Sequence, residues 1–156
     1  KDHPDEEDLP ISILFCEATL AYTNSDWMNS FELFAQLLNN KQKLTEKMVE
    51  FILDKIANIS IQIGDYKNAL LALETLSSSY SDHYIPIYAK LLQATGNLDA
   101  SITAYVGYIK SHPEDQHTLA QLEEIYRENN RTSEIEKLHQ QLNCKPHKQT
   151  TKQESI

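Results

Sequence analysis

Six histidines and two cysteines are the residues of this chain best suited to metal or redox chemistry. His112 and His117 are five residues apart, a spacing that does not place two side chains on one helix face. His83 and His117 occupy equivalent positions of a repeated pattern, but two histidines without a third ligand make a poor zinc site. The sequence contains neither HExxH nor CxxC. It therefore predicts no metal and no cofactor.

Motifs for nucleophilic or phosphoryl chemistry do not occur either. There is no GxSxG nucleophile elbow and no glycine-rich phosphate loop. The run "SSSY" at residues 77–80 is interpreted as the end of a helix and its loop. Two Asn-x-Ser/Thr triplets begin at Asn58 and Asn130, and Asn58 is expected in the middle of a helix. The sequence predicts a protein that is not an enzyme.

The composition favours helices and excludes several classes of partner. The chain has 156 residues, with only 3 Gly and 5 Pro, and is rich in the helix formers Ala, Leu, Glu, Lys and Gln. Its net charge of −9 opposes binding to nucleic acid and to anionic membrane surfaces. No apolar run approaches the ~20 residues of a membrane-spanning helix, so membrane insertion is not expected.

The two cysteines, Cys16 and Cys144, lie far apart in the sequence. They form no disulfide framework, and free thiols are typical of a reducing compartment. We therefore predict a cytoplasmic protein. The chain begins at Lys1 rather than Met, which favours a fragment or a processed form and leaves an N-terminal signal unjudged.

A repeated stretch sets the architecture. "GDYKNALLALETL" begins at Gly64, and "GNLDASITAYVGY" begins thirty-two residues later at Gly96. Equivalent turns fall at Ser25 and Asn130. Gly is favoured at such a turn because it accepts a left-handed backbone, and it ends the first helix of a pair. The following residue is expected to cap the second helix through its side chain; these residues are Asp26, Asp65 and Asn97.

Other positions come into register when the turns are aligned. We call the residues at one aligned position a column. In some columns the residues are large and apolar and would bury one face of each helix; an example is Leu14, Leu53, Ile85 and Leu119. Two columns are small and would let the paired helices approach closely. They are Ala18, Ala57, Ala89 and Glu123, and Ser30, Ala69, Ser101 and Ile135. Each unit is predicted to be a helix–turn–helix that buries its apolar face by stacking on its neighbours.

These stretches resemble the tetratricopeptide repeat (TPR) family. "AYTNSDWMNSFELFAQLL", "IQIGDYKNALLALETL" and "LQATGNLDASITAYVGYIKSHPED" follow the family order, and Pro113 falls at its closing proline. The resemblance covers about residues 11–142. It is weakest at the end, where Glu123 and Ile135 replace small residues, as in a capping repeat. It implies an all-α fold, a short right-handed TPR solenoid of three to four units. The alternative is an unrelated helical bundle with coincidental spacing.

The resemblance also gives a division of the chain. Residues 1–10 are predicted to be an acidic disordered lead-in, residues 11–142 the TPR array, and residues 143–156 a polar disordered tail. The array divides into units at about 11–44, 50–83, 82–115 and 116–142, of which the last is a degenerate cap.

In TPR proteins the concave face, lined by the first helix of each pair, commonly holds a peptide or a partner helix. The resemblance therefore implies a protein–protein interaction module, a scaffold or chaperone-like adaptor, whose partner is another protein. The predicted groove residues are Phe15, Thr19, Tyr22, Asp54, Asn58, Ile61, His83, Lys90, Gln93, His117, Glu124 and Arg127. Two alternatives stay open: these residues are simply solvated, or the chain is a structural, self-associating segment of a larger TPR protein without a peptide ligand.

One TPR subclass grips the C-terminal carboxylate of chaperones with a clamp of Lys, Asn and Arg side chains. Phe15 and Thr19 stand at the first clamp positions of this sequence, and Asp54 brings the wrong charge to the second repeat. His83 and Ile87 replace the Lys and Arg of the third. Binding of chaperone C-terminal tails is therefore disfavoured.

Overall fold

The computed structural model describes the backbone of residues 10–150 and the side chains of residues 10–143. Within that range the chain forms eight α-helices and two short 3-10 turns, with no strand. The predicted all-α class is thus confirmed for the described residues. The helices are α1 (Ile11–Thr23), α2 (Trp27–Asn39), α3 (Glu46–Ile63), α4 (Tyr66–Ser79), α5 (Ile85–Ala94), α6 (Leu98–Ser111), α7 (Gln116–Glu128) and α8 (Thr132–Thr150); the 3-10 turns are Lys41–Lys43 and Asp82–Tyr84.

The chain divides into two compact bodies, Lys1–Leu91 and Leu92–Ile156, with the boundary inside α5. In the N-terminal body α1 packs on α2, α2 on α3, and α3 on α4. In the C-terminal body α6 packs on α7, and α7 on α8. Within each of these two sets, helices that follow one another in the sequence are therefore neighbours in space, as the predicted helix–turn–helix units require.

The same left-handed turn joins the helices of all four pairs. The backbone φ angle is positive at Ser25 (59°), Gly64 (78°), Gly96 (88°) and Asn130 (58°). In each turn this residue donates its N–H to the carbonyl three positions back, and the next residue donates to the carbonyl five positions back. At Gly64 these two distances are 3.2 and 2.8 Å. This is the double hydrogen bond that satisfies the last carbonyls of a helix. Its recurrence supports the aligned register.

The prediction that the residue after each turn caps the second helix holds only once. Asp65 accepts a hydrogen bond from the backbone N–H of Asn68 at 3.3 Å. Asp26 and Asn97 make no such bond, so the prediction was wrong for both. The side-chain amide of Asn97 lies within hydrogen-bond distance of the Thr95 hydroxyl instead, at 3.3 Å, so it is engaged by the turn rather than by the helix.

In the first two repeats the small columns lie on helices that pack on each other, α1 on α2 and α3 on α4. In repeats 1–3 every residue of these columns is buried, and at most 2% of its surface is exposed. These residues are Ala18, Ala57, Ala89, Ser30, Ala69 and Ser101. In repeat 1 the two columns meet directly, because the Ser30 hydroxyl donates to the Ala18 carbonyl at 2.9 Å. The substitutions expected in a terminal repeat, Glu123 and Ile135, are half-buried.

Two helix bounds differ from the predicted division. α3 begins at Glu46, before the expected start of the second repeat at residue 50, because Thr45 caps it by accepting a hydrogen bond from Met48 N–H. α8 continues past Leu142 to Thr150, into the segment predicted to be a disordered tail. Residues 1–9 and 151–156 lie outside the described range. Across the described residues, no helix is both long and apolar enough to pass through a bilayer.

Candidate partner-binding surface

Three of the predicted groove residues share one face of α1. Phe15, Thr19 and Tyr22 are spaced i, i+4 and i+7, which places their side chains on one side of the helix. The Phe15 ring lies 5.3 Å from the ring of Phe51 on α3 and 6.4 Å from that of Phe34 on α2. Phe15 is consequently half-buried in the seam between α1 and α3 and does not project freely.

A lysine of α3 is enclosed by aromatic rings of both helices. The Lys55 ammonium nitrogen lies 4.8 Å from the centroid of Tyr22 and 4.9 Å from that of Phe51. It also lies 3.6 Å from a carboxylate oxygen of Asp54. A cation over an aromatic face is attracted by the ring quadrupole, by ~0.5–1 kcal/mol at exposed sites. We call Phe15, Tyr22, Phe51 and Lys55 the aromatic–lysine cluster.

Polar residues of α3 flank Phe51 and Lys55 in the sequence, and Tyr84 of the second 3-10 turn bonds to one of them. The Asn58 side-chain amide donates to Asp54 at 3.5 Å, and the Tyr84 hydroxyl donates to Glu50 at 3.3 Å. Burial raises the pKa of Tyr84 to about 12, and the charges of Asp54 and Glu50 act in the same direction. Tyr84 is therefore a neutral hydrogen-bond donor at neutral pH. The border is acidic on balance, and it presents both amide and carboxylate oxygens.

The Thr19 hydroxyl is engaged within its own helix. It donates to the Phe15 carbonyl at 2.8 Å, the common i−4 bond of a helical threonine. The hydroxyl hydrogen of Thr19 is therefore used within α1, and its oxygen keeps acceptor capacity.

The remaining predicted residues are distributed between the two bodies. In the N-terminal body, Ile61 is half-buried against the core, and Lys90 is exposed on α5. His83 is exposed and lies in the 3-10 turn before α5 rather than within that helix. The other four, Gln93, His117, Glu124 and Arg127, belong to the C-terminal body. A groove that runs through all twelve residues stays a prediction.

The charged groups predicted on α7 pair along the helix surface. The Arg127 guanidinium donates to Glu124 at 3.0 Å and to Glu123 at 3.4 Å. Exposed pairs at i+3 and i+4 contribute little to stability and are typical of a solvated helix face. The described part of the C-terminal body thus offers a weaker case for a partner site than α1 and α3 do.

Metal chemistry gains no geometric support from the described side chains. Among residues 10–143, no three His, Cys, Asp or Glu side chains come together in a group that could hold a metal ion. Cys16 is an exposed free thiol on α1. The side chain of Cys144 lies outside the described residues.

Phe51 and Lys55 were not among the predicted groove residues. The residues of repeat 2 at the same repeat positions as Phe15, Thr19 and Tyr22 are Asp54, Asn58 and Ile61, and the sequence predicts the groove there. Adjacent helices are offset where they touch, however, so α1 meets α3 at Phe51 and Lys55, earlier in α3 than the column equivalents. The spacing of residues 51, 55 and 58, again i, i+4 and i+7, is the signal that could have indicated them.

Comparison with known proteins does not identify the chain. No protein-family model matches it, and no curated protein matches it. Among solved structures it is similar to the crystal structure of MamA protein, at 12% sequence identity and a TM-score of 0.48. That alignment covers 94% of this chain and 97% of the MamA chain. So distant a likeness adds no weight to the fold or to a function. The repeat architecture rests on the four turns and the helix pairs that they join.

Proposed function

We propose that this chain is a protein–protein interaction module that binds a peptide or an amphipathic helix of another protein against α1 and α3. The observation that carries the proposal is the aromatic–lysine cluster. Its three rings are half-buried, and its cation is fixed between two of them. Rigid aromatic side chains at a surface cost little conformational entropy on binding and commonly dominate the binding energy of interfaces.

The chemistry of the border suggests what the partner presents. The Asp54 carboxylate lies 3.6 Å from the Lys55 ammonium, Glu50 directly precedes Phe51 in the sequence, and Asn58 is exposed. A partner segment with an aromatic or aliphatic anchor would pack on Tyr22 and Phe51. A neighbouring Lys or Arg would face the carboxylates, and Asn58 would pair with a backbone or side-chain amide. The net charge of −9 agrees with a partner that is neutral or basic.

The test is recovery of a partner by charge variants of the purified chain. Lys55→Glu places a carboxylate between two rings and beside Asp54, and Asn58→Arg places a bulky cation on the same face. Lys67→Glu is the matched control, because Lys67 is exposed on α4 and the charge change equals that of Lys55→Glu. Circular dichroism establishes that all variants are folded.

We expect quantitative mass spectrometry to show one protein recovered equally by the wild type and Lys67→Glu, and at least ten-fold less by Lys55→Glu and Asn58→Arg. Isothermal titration calorimetry with that purified protein should rank the affinities of the four chains in the same order. Equal recovery by all four chains would overturn the assignment of this face. A partner lost only with Lys67→Glu would move the binding site to α4.

A further inference from the structure

α1 carries a second apolar stripe on the flank that faces away from α3. Ile13 is 44% exposed and Leu20 is 62% exposed. Among the described residues, no other large hydrophobic side chain is as exposed as Leu20. Leu20 and the half-buried Leu33 of α2 line a shallow groove of about 290 Å³ between the two helices. Glu17 and Asp26 also line this groove. We call Ile13, Leu20 and Leu33 the open stacking face.

The repeat register shows what this face does elsewhere in the chain. The equivalent residues of repeat 2 are Ile52, Ile59 and Ala72, and all three are buried in the N-terminal body, where α2 packs on α3. The equivalents in repeat 4 are Thr118, Ile125 and Leu138, and these are buried in the C-terminal body, where α6 packs on α7. At this register, therefore, a repeat receives a helix from the repeat before it.

We propose that the open stacking face is a second docking site, which receives an amphipathic α-helix whose apolar stripe is flanked by Lys or Arg. A helix is inferred because α2 packs on α3, which carries the buried equivalents Ile52 and Ile59, and because the buried Phe34 and Leu37 of α2 stand at i and i+3. Basic flanks are inferred because Glu17 and Asp26 border the groove, and no Lys or Arg lines it. The site lies on the flank of α1 opposite the aromatic–lysine cluster.

A second copy of this chain and the chain's own residues 1–9 fit the open stacking face less well. A second copy docked face to face would bring two Glu17 carboxylates together between chains of net charge −9. A second copy docked through its last repeat would offer polar residues, because the equivalents of Phe31, Phe34 and Leu38 are Glu136, His139 and Asn143. The chain's own residues 1–9, which are rich in Asp and Glu, carry the same sign of charge as the groove.

The probe is a helix-stapled peptide with the α2 sequence, Trp27–Asn39, in which four exposed positions are changed to Lys: Asn29, Glu32, Gln36 and Asn39. A second peptide with Glu at these positions is the charge control. Binding to the full 156-residue chain is followed by fluorescence anisotropy. Leu20→Asp places a charge on the face. Leu71→Asp is the matched control, because Leu71 is 54% exposed on α4.

We expect the basic peptide to bind the wild type and Leu71→Asp equally, and Leu20→Asp at least ten-fold more weakly. Glu17→Lys should weaken the basic peptide and strengthen the acidic one, whereas Lys55→Glu should leave the basic peptide unchanged. Equal binding to Leu20→Asp and wild type would overturn the proposal. So would displacement by a synthetic peptide of residues 1–9, or a dimer in sedimentation equilibrium that Leu20→Asp dissolves, because each assigns the face to another occupant.

Discussion

The imidazole Nε2 of His139 lies 2.6 Å from a carboxylate oxygen of Glu123, across the α7–α8 pair. At the same register positions, repeat 1 has Ala18 and Phe34, and repeat 2 has Ala57 and Leu73, and all four of these residues are buried. The last repeat thus replaces a small residue and a large apolar one by a polar pair in contact with solvent. At this register the α7–α8 pair therefore has a polar contact where the first two repeats bury apolar side chains.

This contact should contribute only modestly to stability. A double-mutant cycle with Glu123→Ala and His139→Ala should give a coupling energy of ~0.2–1 kcal/mol, because both side chains are partly exposed. Urea unfolding at pH 7 measures it. The control cycle pairs His139→Ala with Glu124→Ala, since Glu124 contacts Arg127 instead, and it should give no coupling. A coupling above ~2 kcal/mol would show that the Glu123–His139 pair behaves as a buried one.

The fully buried Ala69 tests the close approach of α3 and α4. Ala69→Leu should lower the free energy of unfolding by ~1–3 kcal/mol, because the added side chain has no space between the packed helices. Ser78→Leu adds a similar volume at an exposed position of the same helix and should change stability by less than ~0.5 kcal/mol. Chemical unfolding followed by circular dichroism compares the two. Equal effects would mean that volume at Ala69 is not limiting.

The turns were the most predictable part of the fold, because a left-handed residue after a helix leaves a strong local signal. Gly64 and Gly96 have that signal outright. Ser25 and Asn130 were found only through their distance from the glycines, and both nevertheless adopt positive φ. The caps were less predictable. Asp26 has the right side chain for a cap, but it makes no cap hydrogen bond in this fold.

The candidate site was predicted only in part, because its key contacts join two helices. Phe15 and Tyr22 could be chosen from their spacing on α1. Their partners Phe51 and Lys55 depend on the offset between α1 and α3, and a sequence column contains no information about that offset. Similarly, Leu20 is exposed whereas its equivalent Ile59 in repeat 2 is buried. Both residues are large and apolar, so the sequence alone does not indicate this difference.

Two fully buried serines should respond differently to the same substitution. Ser30 donates to the Ala18 carbonyl at 2.9 Å, and Ser30→Ala should cost about 1 kcal/mol through loss of that hydrogen bond. The Ser60 hydroxyl has no hydrogen-bond partner among the described residues, so Ser60→Ala should be neutral or slightly stabilising. Thermal and urea unfolding of both variants give the comparison. A loss at Ser60 as large as that at Ser30 would show that the Ser60 hydroxyl has a partner in solution.

The hydrogen bonds of Asp115 predict how the stability of the C-terminal body depends on pH. Its carboxylate accepts bonds from the Thr118 N–H at 3.0 Å, the Thr118 hydroxyl at 2.8 Å and the Tyr108 hydroxyl at 3.0 Å. These bonds, with the Thr118 N–H foremost, lower the pKa of Asp115 in the folded chain. The stabilisation is therefore complete above the unfolded pKa of about 3.9 and is lost as pH falls through the lower folded value.

Asp115→Asn keeps an acceptor oxygen for the helix cap but removes the titrating charge. We expect the wild type to have the larger free energy of unfolding at pH 7, and the difference to shrink as the pH falls below about 4. Denaturant unfolding of both chains between pH 7 and 2.5 measures it, and Asp82→Asn, at an exposed position, controls for the loss of one acidic group. A difference that stays constant over this range would contradict the assignment, because it would show that the charge of Asp115 is not what the three donors stabilise.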